Sequence, residues 1–137
     1  RQVDCDLRSI GEIQAAIRAK AAKTPAGEWV LGFKYDDTKT AEGRKLNRAD
    51  LDAAAPNHPV MITHRGGHTA YVNSRALQIA DVNDRTSDPP GGHFDRDAAG
   101  KLTGGLRETA RNSFLRRIPS TYTREDRREG VKIISGM

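Results

Sequence analysis

Two histidines, His64 and His68, stand four residues apart with Arg65, Gly66 and Gly67 between them. On a helix that spacing would set both imidazoles on one face, as in a zinc-binding HExxH segment. The glycine pair disfavours a helix, and the glutamate such a motif needs as general base is missing. Zinc sites require three or four ligands, so no metal centre is expected within this chain alone. His58 and His93 follow Asn57 and Gly92 in turn-like contexts, with no metal spacing between them. Contact with a substrate suits the segment better. Gly66 and Gly67 let the backbone pass close to a ligand and offer free amides, and His68 can donate to a carbonyl or carboxylate. A hydrogen bond that merely pins the loop accounts for His68 equally well, and both readings stand at this point.

Other residues that could do chemistry have ordinary explanations. Asp36 and Asp37 could form an acid–base pair. Neighbours at a strand end point in opposite directions, though, so loop capping is the expectation. Asp95 and Asp97 fall in or beside a hairpin turn, where aspartate serves local hydrogen bonding. Glu108 is expected in the first turn of a helix, held by the dipole, and Asn73-Ser74-Arg75 reads as a helix cap. Cys5, the only cysteine, is flanked by Asp4 and Asp6, whose negative potential raises a thiol pKa and disfavours a thiolate nucleophile. No nucleophile elbow, phosphate loop or dinucleotide fingerprint occurs.

The elements that must position these residues follow from periodicity and punctuation. Ser9 and Glu12 form a capping box ahead of Ile10, Ile13, Ile17 and Ala21 at helical spacing. Thr24-Pro25-Ala26-Gly27 stops that helix. Glu28 to Tyr35 reads as a strand in which Gly32 marks a bulge or a close backbone approach. A polar loop leads to a short helix, 47–55, capped by Asn47 with Asp50 at its third position. Val60 to Thr63 is a buried strand that opens into HRGGH, and Ala70 to Val72 a short second one. Asn73 or Ser74 caps the next helix. Asp88-Pro89-Pro90-Gly91-Gly92 is a rigid turn, and the segments around Arg96 to Gly100 make a hairpin with Gly100 at positive φ. Leu106, Ala110, Phe114 and Ile118 recur every fourth residue and predict a helix from Gly105 to Arg117. Thr123 and Asp126 begin a last helix carrying Val131, Ile133, Ile134 and Met137.

The 137 residues suffice for one domain but not for a complete eight-fold barrel of roughly 250 residues. The formal charge is +5, but 18 acidic residues are interspersed among 23 basic ones. That pattern is a solvated surface rather than a one-sided basic stripe, and it argues against nucleic acid. No apolar run reaches the ~20 residues of a membrane span. One cysteine excludes an intrachain disulfide and fits a reducing, cytoplasmic setting. Both ends look cut, which suggests a fragment.

Three segments, GEWVLGFKYD, LNRADLDAAAPNHPVMITHRGGHTAYVNSRALQIA and DPPGGHFDRDAAGKLTGGLRETA, occur in that order. Together they resemble the metal-dependent amidohydrolases of the amidohydrolase 3 branch, over roughly Ser9 to Met137. The resemblance implies a composite of β-sandwich and (β/α)8 barrel, and hydrolysis of non-peptide C–N bonds in amides or N-acyl groups. It implies a divalent metal, zinc, in the full-length parent, with its ligands on segments outside this chain and none bound by the fragment alone. His68 matches the family's "GH" position and is expected as a substrate-side contact, with His64 and Arg65 beside it. No catalytic residue carries over.

The expectation is therefore an α+β or α/β fragment, residues 1–137, of a TIM-barrel (β/α) enzyme, with an inserted subdomain, a small mixed sheet and about five helices. Residues 9–55 would be the helix–strand–helix barrel part, 56–118 the strand, GGH loop and hairpin insertion, and 119–137 the terminal helix. The fragment is expected to be inactive alone, with a small amide-like substrate and the rest of the barrel as its partners. A non-enzymatic binding or homo-oligomerisation module is the alternative.

Overall fold

The computed structural model describes residues 2–118. One six-stranded mixed sheet in the order β1-β2-β3-β4-β6-β5 organises them. The strands are β1 (Val3–Asp4), β2 (Val30–Tyr35), β3 (Val60–His64), β4 (Thr69–Val72), β5 (Gly92–Arg96) and β6 (Leu102–Glu108). The helices are α1 (Ile10–Ala22), α2 (Arg48–Ala54), α3 (Ser74–Ile79) and α4 (Thr109–Leu115). β1, β2 and β3 run parallel, and the remaining neighbours pair antiparallel.

Alternation along the strands feeds two cores, one on each face. Val60 and Ile62 join Val30 and Tyr71 against Ile10, Ile13 and Ile17 of α1 and Leu51 and Ala54 of α2. Met61, Ala70 and Val72 point the other way, to Leu77 of α3 and Ala110 and Phe114 of α4. Full burial of each α1 isoleucine is worth about 1.5–3 kcal/mol as an upper estimate.

The helix starts are closed as their sequences require, with one difference. At α2, Asn47 Oδ1 accepts the Asp50 amide and Asp50 Oδ2 accepts the Asn47 amide, a complete capping box. At α1, Ser9 Oγ accepts the Glu12 amide, but Glu12 turns back to the Arg8 amide. Glu42, from 32 residues beyond Ile10, takes the Ile10 and Gly11 amides. Asn73 is fully buried and uses all of its amide group. Its Oδ1 accepts from Val60 and Ala76, and its Nδ2 donates to Ala55 and His58 carbonyls at 3.2 and 2.7 Å. It therefore ties the end of α2, the start of β3 and the start of α3 together.

One element changes its extent. The helix predicted from Gly105 begins only at Thr109, because Gly105 to Glu108 pair with β4 and β5. Leu106 belongs to the strand, and its four-residue spacing to Ala110 is coincidental. Asp95 lies near the end of β5, beside the hairpin turn as expected, but its carboxylate serves a cross-strand partner, taking Arg107 in a two-point pair, Nε at 2.8 Å and Nη2 at 3.2 Å. β1 was not foreseen from its polar surroundings, although Val3 and Cys5 are buried and Asp4 and Asp6 exposed in strict alternation. Among the described residues there are four helices; the one expected from Thr123 lies outside them.

Candidate site at the carboxyl edge of the sheet

β1, β2, β3 and β6 all end at one edge of the sheet, where β4 and β5 begin. That edge carries Asp6, Asp36, Asp37, His64, Arg65, His68 and Glu108. Ligands of open α/β sheets commonly bind outside strand carboxyl ends, where loops replace the packed ladder.

The end of β2 meets the end of β3. His64 Nδ1 accepts the Gly66 amide at 3.1 Å, so the ring proton sits on Nε2, which donates to Asp37 Oδ1 at 3.1 Å. This tautomer is assigned from its partners. Arg65 Nη1 donates to Asp36 Oδ2 at 3.1 Å, and the Thr38 hydroxyl and amide both donate to Asp36 Oδ1. The Thr38 bonds, followed by Arg65, hold the Asp36 carboxyl down at about 2. The two aspartates were expected to diverge as loop caps. Thr38 does make Asp36 a local cap, yet both also turn to β3, each with its own partner.

Asp36, Asp37 and His64 bring one donor atom apiece within 4.8 Å of one another. The triplet does not fit a divalent metal as it stands. His64 Nε2 carries the proton, moving it to Nδ1 would set it against the Gly66 amide, and the Arg65 cation already sits on Asp36.

His68 stands apart from this cluster, at the end of the β3–β4 turn and directly before β4, with its side chain three-quarters exposed. Its carbonyl accepts the Glu108 amide at 2.9 Å, and its Nδ1 lies 3.5 Å from Glu108 Oε1. Glu108 precedes α4 rather than sitting in its first turn. Its φ is 55° and it makes no cap hydrogen bond, so the dipole expectation is corrected.

A bulge supplies the edge with a further cation. Gly32 pairs with Ile62 and Tyr35 with His64, so three steps of β2 match two of β3. Strict alternation would aim Tyr35 away from Val30. The extra residue restores it to the Val30 side, where its hydroxyl accepts the Leu46 amide at 3.0 Å. Lys34 is the displaced residue, exposed and at φ 65°. Gly32 makes the last regular pair before the bulge and is itself a close approach, since a Cβ there would lie 2.5 Å from Ile62 Cδ1 and 2.9 Å from Cys5 Sγ. Cys5 is buried, and burial more than the adjacent Asp4 pushes its thiol up to about 12. His58 is structural: its Nε2 donates to the Thr24 carbonyl at 2.8 Å.

The family described as Amidohydrolase family matches residues 4–134. The chain belongs to the Amidohydrolase family. This amidohydrolase segment is 31% identical over 135 residues to the N-substituted formamide deformylase of Arthrobacter pascens, covering 96% of the chain and 25% of that protein. It is 32% identical over 112 residues to the exoenzymes regulatory protein AepA of Pectobacterium carotovorum, covering 79% and 24%. A metal-dependent hydrolase from Pyrococcus horikoshii superposes with a TM-score of 0.62 at 22% identity, over 85% of this chain and 20% of that one. The chain thus spans about a quarter of the length of the curated relatives it matches.

Within this amidohydrolase segment, His64, Arg65 and His68 all reach the carboxyl edge, His64 and Arg65 on the aspartates and His68 on Glu108. Lys34 and Glu108 escaped the sequence reading as edge residues. Their signals are long-range: a bulge register and a strand that outlasts a helix-like spacing.

Proposed function

We propose that this chain is one wall of the active site of a metal-dependent amidohydrolase that cleaves amide or N-acyl C–N bonds other than peptide bonds. The crowding of His64, Arg65, His68 and Glu108 at one carboxyl edge carries this reading. The 31% identity to a formamide deformylase supports it and favours small formamide-like or N-acyl substrates. His68, exposed and aimed from a glycine-bounded turn, contacts the substrate carbonyl side, with Arg65 and His64 shaping the wall beside it. His64 has both ring nitrogens engaged, so it orients the Asp37 loop rather than transferring a proton.

In this reading residues 1–137 are a partial (β/α) barrel segment, 9–55 its helix–strand–helix part, 56–118 an inserted subdomain and 119–137 a terminal helix. The metal, zinc, is held by the rest of the parent, and the setting is cytoplasmic. The rest of the barrel is the chain's main partner. An apolar groove of about 490 Å3 lined by Leu31, Phe33, Met61, Leu115 and Ile118 supports that, since the described residues leave this part of one sheet face uncovered. Among the described residues no helix is long and apolar enough to cross a membrane.

The test is hydrolysis of N-formyl and N-acetyl amines by the full reading frame and by this chain alone. Metal-dependent turnover by the former and none by the latter is expected. Turnover by the 137-residue chain, or none by the full protein with any divalent metal, overturns the reading. An oligomerisation module instead predicts a stable, monodisperse oligomer of this chain by light scattering.

A further inference from the structure

Lys34, Lys39, Arg65 and Asp6 line a cleft of about 310 Å3 at the carboxyl ends of β1, β2 and β3. Three cations face one carboxylate there. Lys39 Nζ bonds Asp6 Oδ1 at 2.8 Å, and Arg65 spends a single Nη1 donor on Asp36. Lys34 makes no hydrogen bond or ion pair among the described residues, and its Nζ lies 5.5 Å from the centre of the Phe33 ring. An ammonium offers three donors and a guanidinium five, so most donors in the cleft are unspent. The Asp6 carboxyl is held below its ordinary value by Lys39 foremost, and also by Arg65 and Lys34. All three cations thus act on the same small space.

The backbone puts Lys34 there at a cost. Without the bulge its side chain would fall on the Val30 face, beneath α1; with it, Lys34 sits at φ 65°, where a non-glycine residue is strained. Strain of this kind persists where the surroundings impose it, and here it delivers a cation to the cleft.

We propose that this cleft binds a small oxyanion, the carboxylate or phosphate group of a ligand, through Lys34, Arg65 and the spare donors of Lys39. The proposal goes beyond the hydrolase reading, because the anion binds whether or not the parent cleaves amides.

The experiment is a titration of this chain with acetate, succinate and inorganic phosphate at low, matched ionic strength, followed by NMR shifts, with sodium chloride as control. Saturable binding of at least one oxyanion is expected. Lys34→Gly should weaken it about tenfold or more, as expected for loss of a charge-assisted bond. That variant suits the positive φ and keeps the fold, while Lys34→Arg should bind within about threefold of the parent chain. Preference for succinate over phosphate assigns the carboxylate, and the reverse assigns a phosphate. Absence of saturation with all three, or binding that Lys34→Gly leaves unchanged, overturns the proposal. Such a failure leaves the hydrolase reading standing, since turnover of an uncharged amide does not call on Lys34.

Discussion

The Glu108 amide donates to the His68 carbonyl at 2.9 Å, and Glu108 Oε1 lies 3.5 Å from His68 Nδ1. The backbone bond pins the end of the β3–β4 turn against the end of β6. It is made from a backbone at φ 55° and ψ −122°, a conformation that glycine enters far more readily than glutamate. A residue kept there against its own preference is expected where function requires its side chain.

Replacing Glu108 by glycine should therefore stabilise the fold, by about 1 kcal/mol once glycine's greater unfolded entropy offsets part of the relieved strain. Urea denaturation of Glu108→Gly reads this directly. A loss of stability would show that the glutamate side chain is a structural brace.

Asn73→Ala should be among the most damaging single changes, costing about 3–5 kcal/mol. It leaves two buried amides and two carbonyls without their side-chain partner. Asn73→Asp keeps the acceptors but sets a buried carboxylate oxygen against the Ala55 and His58 carbonyls, so it should cost at least as much at neutral pH. Thermal or urea unfolding of both variants orders them, and a near-neutral alanine variant contradicts the assignment.

Stability should fall as pH drops from about 4 to about 2, in part through Asp36. Its folded pKa is depressed to about 2, so its contribution is present above the unfolded carboxyl value and lost as the folded one is reached. Asp36→Asn and Thr38→Val should each flatten that segment of the stability–pH curve. An unaltered curve contradicts the Thr38 and Arg65 account.

Cys5 should resist thiol reagents in the native state and react on unfolding. Its pKa is raised to about 12 chiefly by burial, so the thiol's contribution is intact below its ordinary value near 9 and is lost as pH climbs towards 12. Labelling with a chromogenic disulfide in increasing urea should track the unfolding transition; rapid labelling in buffer would contradict the burial.

The sequence shows its local features well. Asn47 with Asp50, Asn73 ahead of Ala76, and Gly100 at the hairpin bend each depend on neighbours within a few residues, and each forms as read. What it conceals is set by distant partners. Glu42 closes the Ile10 and Gly11 amides of α1 from far along the chain, and pairing with β4 and β5 claims Leu106 from a helix-like spacing. The edge follows the same division. HRGGH marks the loop, but Asp36 and Asp37 meet Arg65 and His64 only because β2 and β3 run in parallel to a common end. Lys34 joins them through one extra residue in a register that no local pattern reveals.

The most direct measurement is kcat/KM for an N-formyl amine in the full-length protein carrying His68→Ala, beside its metal content and melting temperature. A fall of roughly ten- to a hundredfold should result, as expected for one lost substrate hydrogen bond, with metal and fold retained. An unchanged kcat/KM would contradict the claim that this edge faces the substrate.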